Sequence, residues 1–311
     1  MNTTNLYKLK DILSRPGFFR AFLLFILTVT IVSSASAAVF VIDAPVSDSM
    51  HVHSSLDYHL ERITSMLKIE YVDTIRVVIA TDLSLFNRAL GSGFPDWGAG
   101  AAVKAKKLIV IKSPSHFKVG KSLDELLGHE LGHLMLDKAT GGKWLPRWFE
   151  EGFCQLVSGE WRLSQDILVT RAVWGSGLIP LTALEGVNSF GGAKAALAYA
   201  ESYLAVSSLV KEMGSDFFVE FLSDYKNHGN IYNAFFNSTG YYYIEWAGIW
   251  QRKTAEKYRL VFFLLDSRLL FPLLAILFIL LYILKIYQVR KKKKQWQEHE
   301  RLYGDDKTFP T

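Results

Sequence analysis

Apolar positions along the chain follow distinct rhythms, and each predicts a different kind of element. In residues 50–69, Leu56, Leu60, Ile63 and Leu67 recur at helical spacing and predict an amphipathic helix. The blocks I-R-V-V-I-A at 75–80 and K-L-I-V-I-K at 107–112 are short, rich in Val and Ile, and predict strands. Residues 82–90 predict a short helix, and the glycine-rich stretch 91–100 a turn region. A second helical stripe comprises Leu123, Leu126, Leu127, Leu131 and Leu134. Ser122 and Glu125 form a capping box at its start, Asp124 and Glu125 suit the positive end of the helix dipole, and Gly141 and Gly142 end it. Pro146, with its fixed φ and no N–H to satisfy, opens a further helix over Arg147–Ser158. The rest of the chain reads as helical. The order is helix, strand, helix, strand and then helices, an α+β fold with an all-helical C-terminal lobe.

Two apolar runs have no periodicity at all. Residues 21–32 follow Lys8, Lys10, Arg15 and Arg20 and precede a run of small residues at 33–38, with A-S-A at 35–37 in the form of a signal-peptidase site. If that site is cut, the mature chain begins near Ala38. If it is not, the apolar character continues through Val39, Phe40, Val41 and Ile42, giving about twenty residues that serve as an anchor. At the other end, residues 269–284 are apolar and uncharged, and Arg290, Lys291, Lys292, Lys293 and Lys294 follow. The positive-inside rule puts both basic flanks in the cytoplasm. The expected organisation is a cytoplasmic start with signal or anchor over 1–44, an extracytoplasmic domain over 45–260, a transmembrane helix over 261–289 and a basic tail over 290–311.

Charge adds to this picture only through its distribution. The formal net charge is +5, yet residues 51–255 carry 20 basic and 21 acidic groups while the flanks carry 15 and 9. The excess sits beside the membrane segments and speaks for a lipid bilayer as partner, not for nucleic acid. The single cysteine, Cys154, cannot form an internal disulfide and reads as a core residue. The sequence does not specify an oligomeric state.

Candidate chemistry is concentrated in residues 122–152, which contain H-E-L-G-H at 129–133. His129 and His133, four apart on a helix, share one face and reach one metal ion. Glu130, beside the first histidine, is placed to take a proton from a water on that ion. Eighteen residues after His133 comes Glu151, followed by Gly152, on the next helix. Two histidines and a glutamate leave a fourth position open, as a catalytic zinc requires. One Zn2+ per chain is expected. The charged neighbours Lys121, Asp124, Glu125, Asp137 and Lys138 exclude a site inside the bilayer.

H-E-L-G-H followed by L-P-R-W-F-E-E-G-F resembles the gluzincin metallopeptidases, and within them the peptidase MA-like domain. The resemblance implies His129, His133 and Glu151 as ligands and Glu130 as base, with Glu150 the fallback ligand and otherwise a solvated neighbour. It implies a small mixed sheet packed on the metal helix, with an edge strand that takes an extended peptide, a place filled here by residues 97–103 and 108–111. Tyr199, in A-Y-A-E-S-Y-L, falls where aminopeptidase-like members carry a tyrosine that supports the oxyanion, and Tyr203 lies one turn later. Glu201 departs from the lysine usual there, and the G-x-M-E-N motif of the aminopeptidases is missing, which favours an endopeptidase. Arg147 reads as a surface charge. The expected function is a membrane-anchored, extracytoplasmic zinc endopeptidase acting on peptides or proteins. The alternative is a silent, zinc-stabilised binding or assembly module tethered to the membrane.

Overall fold

The structure is a computed structural model and describes residues 38–91, 98–265 and 267–304. The predicted leader or anchor at 21–32, Trp97 of the predicted edge segment, and the end of the basic tail lie outside these residues.

Four strands form one mixed sheet in the order β1-β2-β4-β3. They are β1 (Val39–Asp43), β2 (Thr74–Ala80), β3 (Gly100–Val103) and β4 (Leu108–Lys112). β1, β2 and β4 are parallel, and β3 runs antiparallel along the outside of β4. Parallel neighbours need a crossover, and helices α1 (Val46–Leu67) and α2 (Leu83–Leu90) supply them. β4 is buried throughout, as a strand paired on both sides should be, whereas β3 is half-buried with one edge unpaired by any described strand. The edge position expected for 97–103 therefore belongs to its described part in β3, and 108–111 is an interior strand.

β1 corrects the sequence-based reading. The sequence reads Val39–Ile42 as the end of a possible membrane span and starts the domain near 45, but these residues pair in register with Thr74–Val77 of β2. An apolar run of four is the same signal in a sheet as in the tail of an anchor. Only the pairing partner, more than thirty residues away, distinguishes them.

Helix α3 (Leu123–Thr140) packs against β3 and β4 and against α1, α4 (Arg147–Ser158) and α7 (Phe217–His228). Its capping box forms as predicted, and Gly141 closes it in the left-handed conformation. Every residue from Leu126 to Leu136 is buried. On one side, Gly128 lets the ring of His59 from α1 lie where a Cβ would be, with ring atoms 2.6–2.9 Å from that position. On another, Gly132 admits α4, with Cys154 Sγ 3.0 Å from its would-be Cβ. Phe149 and Phe153 of α4 interlock edge-on with Phe218 of α7 at 5.0–6.1 Å, which fixes α4 from its far side.

The chain divides into two compact units. The first runs to Glu160 and resumes over Ser202–Tyr243, so it holds the sheet, α1–α4, the second half of α6 (Gly192–Met213), α7 and α8 (Ile231–Thr239). The second comprises Trp161–Glu201 and the residues from Ile244, with α5 (Leu163–Trp174), the first half of α6, α9 (Tyr243–Leu265) and α10 (Ser267–Tyr303). Among the described residues one helix is long and apolar enough to cross a membrane, at Phe271–Leu302 within α10.

Candidate metal centre

The sequence-predicted residues meet where α3 faces α4. His129, Glu130 and His133 project from α3, Glu151 projects from the first turns of α4, and all four are buried. His129 Nε2 lies 3.2 Å from Glu151 Oε2, and His133 Nε2 lies 3.9 Å from Glu151 Oε1. The two imidazoles are one helical turn apart, with ring centroids 5.1 Å from each other. A carboxylate and two ring nitrogens thus converge on one point.

Gly152 is what lets Glu151 reach that point. A Cβ on Gly152 would stand 2.1 Å from the carbonyl oxygen of Ser202 on α6, so only glycine allows the two helices this approach. Gly100 plays the matching part for the base. Its missing Cβ would be 2.8 Å from Glu130 Oε1, which seats that carboxylate directly against edge strand β3.

The outer nitrogens are also occupied. His129 Nδ1 donates to Glu160 Oε1 at 2.7 Å, and His133 Nδ1 donates to Glu150 Oε1 at 3.0 Å. Glu160 additionally accepts from Ser158 Oγ at 2.9 Å and pairs with Lys121, and Glu150 pairs with Lys104. A carboxylate on Nδ1 fixes the ring and leaves Nε2 to face inward, the usual outer support of a metal-binding histidine. Glu150, expected to be solvated, is instead buried, because position 150 on α4 points at the ring one turn below the one that Glu151 meets most closely. Arg147 is no plain surface charge either. Its Nη2 lies 2.7 Å from Glu151 Oε1, one turn along the same helix.

Burial and charge compete over every group here. Burial alone would raise the carboxyls of Glu151 and Glu160, but His129, His133 and Arg147 around Glu151, and His129 and Lys121 around Glu160, bring each down to about 2. Glu150 is held below the ordinary carboxylate range in the same way, by His133 and Lys104. Burial works against the charged form of His129, yet the Glu160 and Glu151 carboxylates outweigh it and raise the imidazole to about 10. Burial pushes the Glu130 carboxyl up, against the pull of His129 and His133. The outcome is one carboxyl made more basic than usual beside three held ionised.

Cys154 is buried as expected, but it is not remote. Its sulfur and a ring nitrogen from each of His129 and His133 lie within 4.8 Å of one another. Burial and then Glu151 and Glu150 push its thiol well above its ordinary value, while Glu151 lies 3.2 Å from His129, so both a thiol and a carboxylate stand beside the two rings.

The donor set fits a zinc ion: two Nε2 atoms braced from behind by carboxylates, and one ionised carboxylate opposite them. Tyr199, predicted to join the site, lies half-buried on the first half of α6, in the second unit. Glu160, Lys104 and Lys121 were missed by sequence reasoning. Glu160 follows the end of α4 and no motif marks it, while the two lysines sit on the turn after β3 and on the loop before α3.

None of the curated proteins compared with the chain matches it. The family model of the peptidase MA superfamily, however, matches residues 74–267, a stretch that begins at β2 and takes in β3, β4, both helices of the centre and Glu160, and the chain accordingly belongs to the peptidase MA superfamily.

Proposed function

We propose that the protein is a membrane-anchored zinc endopeptidase, with His129, His133 and Glu151 as metal ligands and Glu130 as general base. The observation that carries this is the convergence of His129 Nε2 and His133 Nε2 on the Glu151 carboxylate, with each Nδ1 bound to a second glutamate. A zinc ion held there supplies Lewis acidity toward a scissile carbonyl and makes water acidic enough to ionise near neutral pH.

The remaining chemistry belongs to the chain. Glu130 accepts the proton of the attacking water and passes it to the leaving amine, and its burial keeps the carboxyl basic enough to do both. Arg147 holds Glu151 Oε1 and so fixes the carboxylate that would hold the metal. β3, with its outer edge unpaired among the described strands and Glu130 against Gly100, offers backbone donors and acceptors to an extended peptide. Tyr199 is assigned to the oxyanion by resemblance, since a phenol donates to a developing negative charge while uncharged itself. The missing G-x-M-E-N motif favours internal cleavage. The exposed apolar face of α10 and the basic residues Arg290 to Lys294 support a span with the peptidase domain outside the cytoplasm.

Metal content of the detergent-solubilised chain tests the assignment. One zinc per chain is expected in wild type and none in Glu151→Ala, with Glu150→Ala retaining the site at about 10- to 100-fold lower affinity. A wild-type chain without zinc after metal-replete purification would overturn the zinc reading, whereas bound zinc with no chelator-sensitive cleavage of an unfolded protein would favour the silent tethered module.

A further inference from the structure

We infer that Lys104 and Lys121 are positioning residues for the metal ligands, each closing a lysine–glutamate–histidine relay that sets one imidazole from outside the two metal-bearing helices. The inference rests on the zinc reading above. The first relay is Lys121 to Glu160 Oε2, with Glu160 Oε1 accepting from His129 Nδ1 at 2.7 Å and from Ser158 Oγ at 2.9 Å. The second is Lys104 to Glu150 Oε1, the oxygen that also accepts from His133 Nδ1 at 3.0 Å.

A carboxylate can orient a histidine only as well as it is itself held. Glu160 and Glu150 are nearly excluded from water, so solvent cannot fix their outward sides. The ammonium groups do so, and charge-assisted bonds of this kind are the stronger and shorter class. Both lysines come from elements that carry no ligand. Lys121 belongs to the loop leading into α3, one residue before its N-cap, and Lys104 opens the 3-10 turn that follows β3.

The second relay has a consequence the first lacks. The segment running from Gly100 to Lys104 touches the centre twice: Gly100 lies against Glu130, and Lys104 reaches Glu150. One short piece of edge strand therefore places both the base and the outer support of His133. The lysine side chains are 40% and 34% exposed, so each charge is reachable from solvent while the carboxylate it holds is not. A peptide added along β3 would bear on this segment and, through Lys104, on the ligand.

The test uses the full detergent-solubilised chain and two readouts independent of turnover: zinc affinity by competition with a chromophoric chelator, and the visible d–d spectrum of the cobalt-loaded protein. Lys104→Met and Lys121→Met are each expected to lose about 10- to 100-fold in zinc affinity and to shift the cobalt bands, as outer-support variants do. Lys104→Arg should recover most of the affinity. Lys107→Met, which removes only the ion pair with Asp73, should match wild type in both readouts. Should Lys121→Met fail to fold by circular dichroism, the Lys104 pair decides. Methionine variants within about twofold of wild type, with unchanged cobalt spectra, would overturn the inference alone. A wild-type chain that takes up no zinc would overturn the zinc reading with it.

Discussion

α3 and α10 are both leucine-rich helices, and their environments are opposite. In α3 each residue from Leu126 to Leu136 is buried, including two histidines and a glutamate. In α10 the large apolar side chains from Phe271 to Leu284 are each 49–73% exposed, and not one charge lies among them. An apolar face left open to water over that length would be costly, since burial is worth roughly 25 cal/mol per Å2. Residues 271–289 of a helix measure about 28 Å, close to the hydrocarbon thickness of a bilayer. The contrast teaches that apolar content alone does not assign a helix. A protein interior accepts charged side chains when each finds a partner, as Glu150, Glu151 and Glu160 do, whereas lipid offers none.

The comparison can be broken at several points, and the largest effect falls on the charges inside α3. Glu130→Gln should keep its zinc and lose about 10²- to 10⁴-fold in hydrolysis of an unfolded protein such as casein. Activity near wild type in that variant would remove Glu130 from the mechanism. Next comes the packing that brings α4 to α3. Gly152→Ala drives a methyl group into the Ser202 carbonyl and should cost about 3 kcal/mol or more, read as a fall in the denaturant midpoint at unchanged slope.

A charge introduced into α10 sharpens the contrast from the other side. Leu277→Asp should make insertion less favourable by about 2.5–3.5 kcal/mol and move the protein out of the membrane fraction, with zinc binding intact. Undiminished membrane partition would show that α10 is not what alone holds the chain to the membrane.

The smallest effect concerns Glu201, a buried charge without the partners found in α3. Its Oε1 accepts the Ile179 N–H at 2.9 Å, its Oε2 has no hydrogen-bond partner among the described residues, and burial raises the carboxyl to about 8. The folded chain therefore keeps a proton that the unfolded chain releases near 4.5, so this site's contribution to stability is full below 4.5 and declines as pH rises through about 8. Glu201→Gln keeps the acceptor and removes the titration. Its unfolding free energy should match wild type near pH 4 and exceed it at pH 8 by a few kcal/mol. Parallel pH profiles for the two proteins would show that Glu201 is solvated when ionised.

How far the centre was legible follows from the distance over which each contact acts. His129, Glu130 and His133 could be read because helix geometry is local: spacing of one and four on a capped helix leaves one arrangement. Glu151 was chosen over Glu150 by resemblance, since only it precedes a glycine as the family's third ligand does. Glu150 was misread since exposure depends on what lies opposite, and the ring opposite is on another helix. Tyr199 entered by resemblance alone, and the residues that brace the two histidines have no motif to betray them.

Residue patterns alone carried the metal helix with its H-E-x-x-H pair and the long uncharged run of α10, which are properties of periodicity and spacing within a few turns, while resemblance supplied the downstream glutamate. Only the tertiary structure decided that Val39–Asp43 is a strand, that β3 is the sheet edge, and that Glu160, Lys121 and Lys104 stand behind the histidines. The strand pairing of β1 and the ion pairs join segments distant along the chain, and β3 is the edge because no described strand comes to lie beyond it. Hydrogen bonds and ion pairs depend on position in space, and local residue patterns carry no record of which partner folding will bring near.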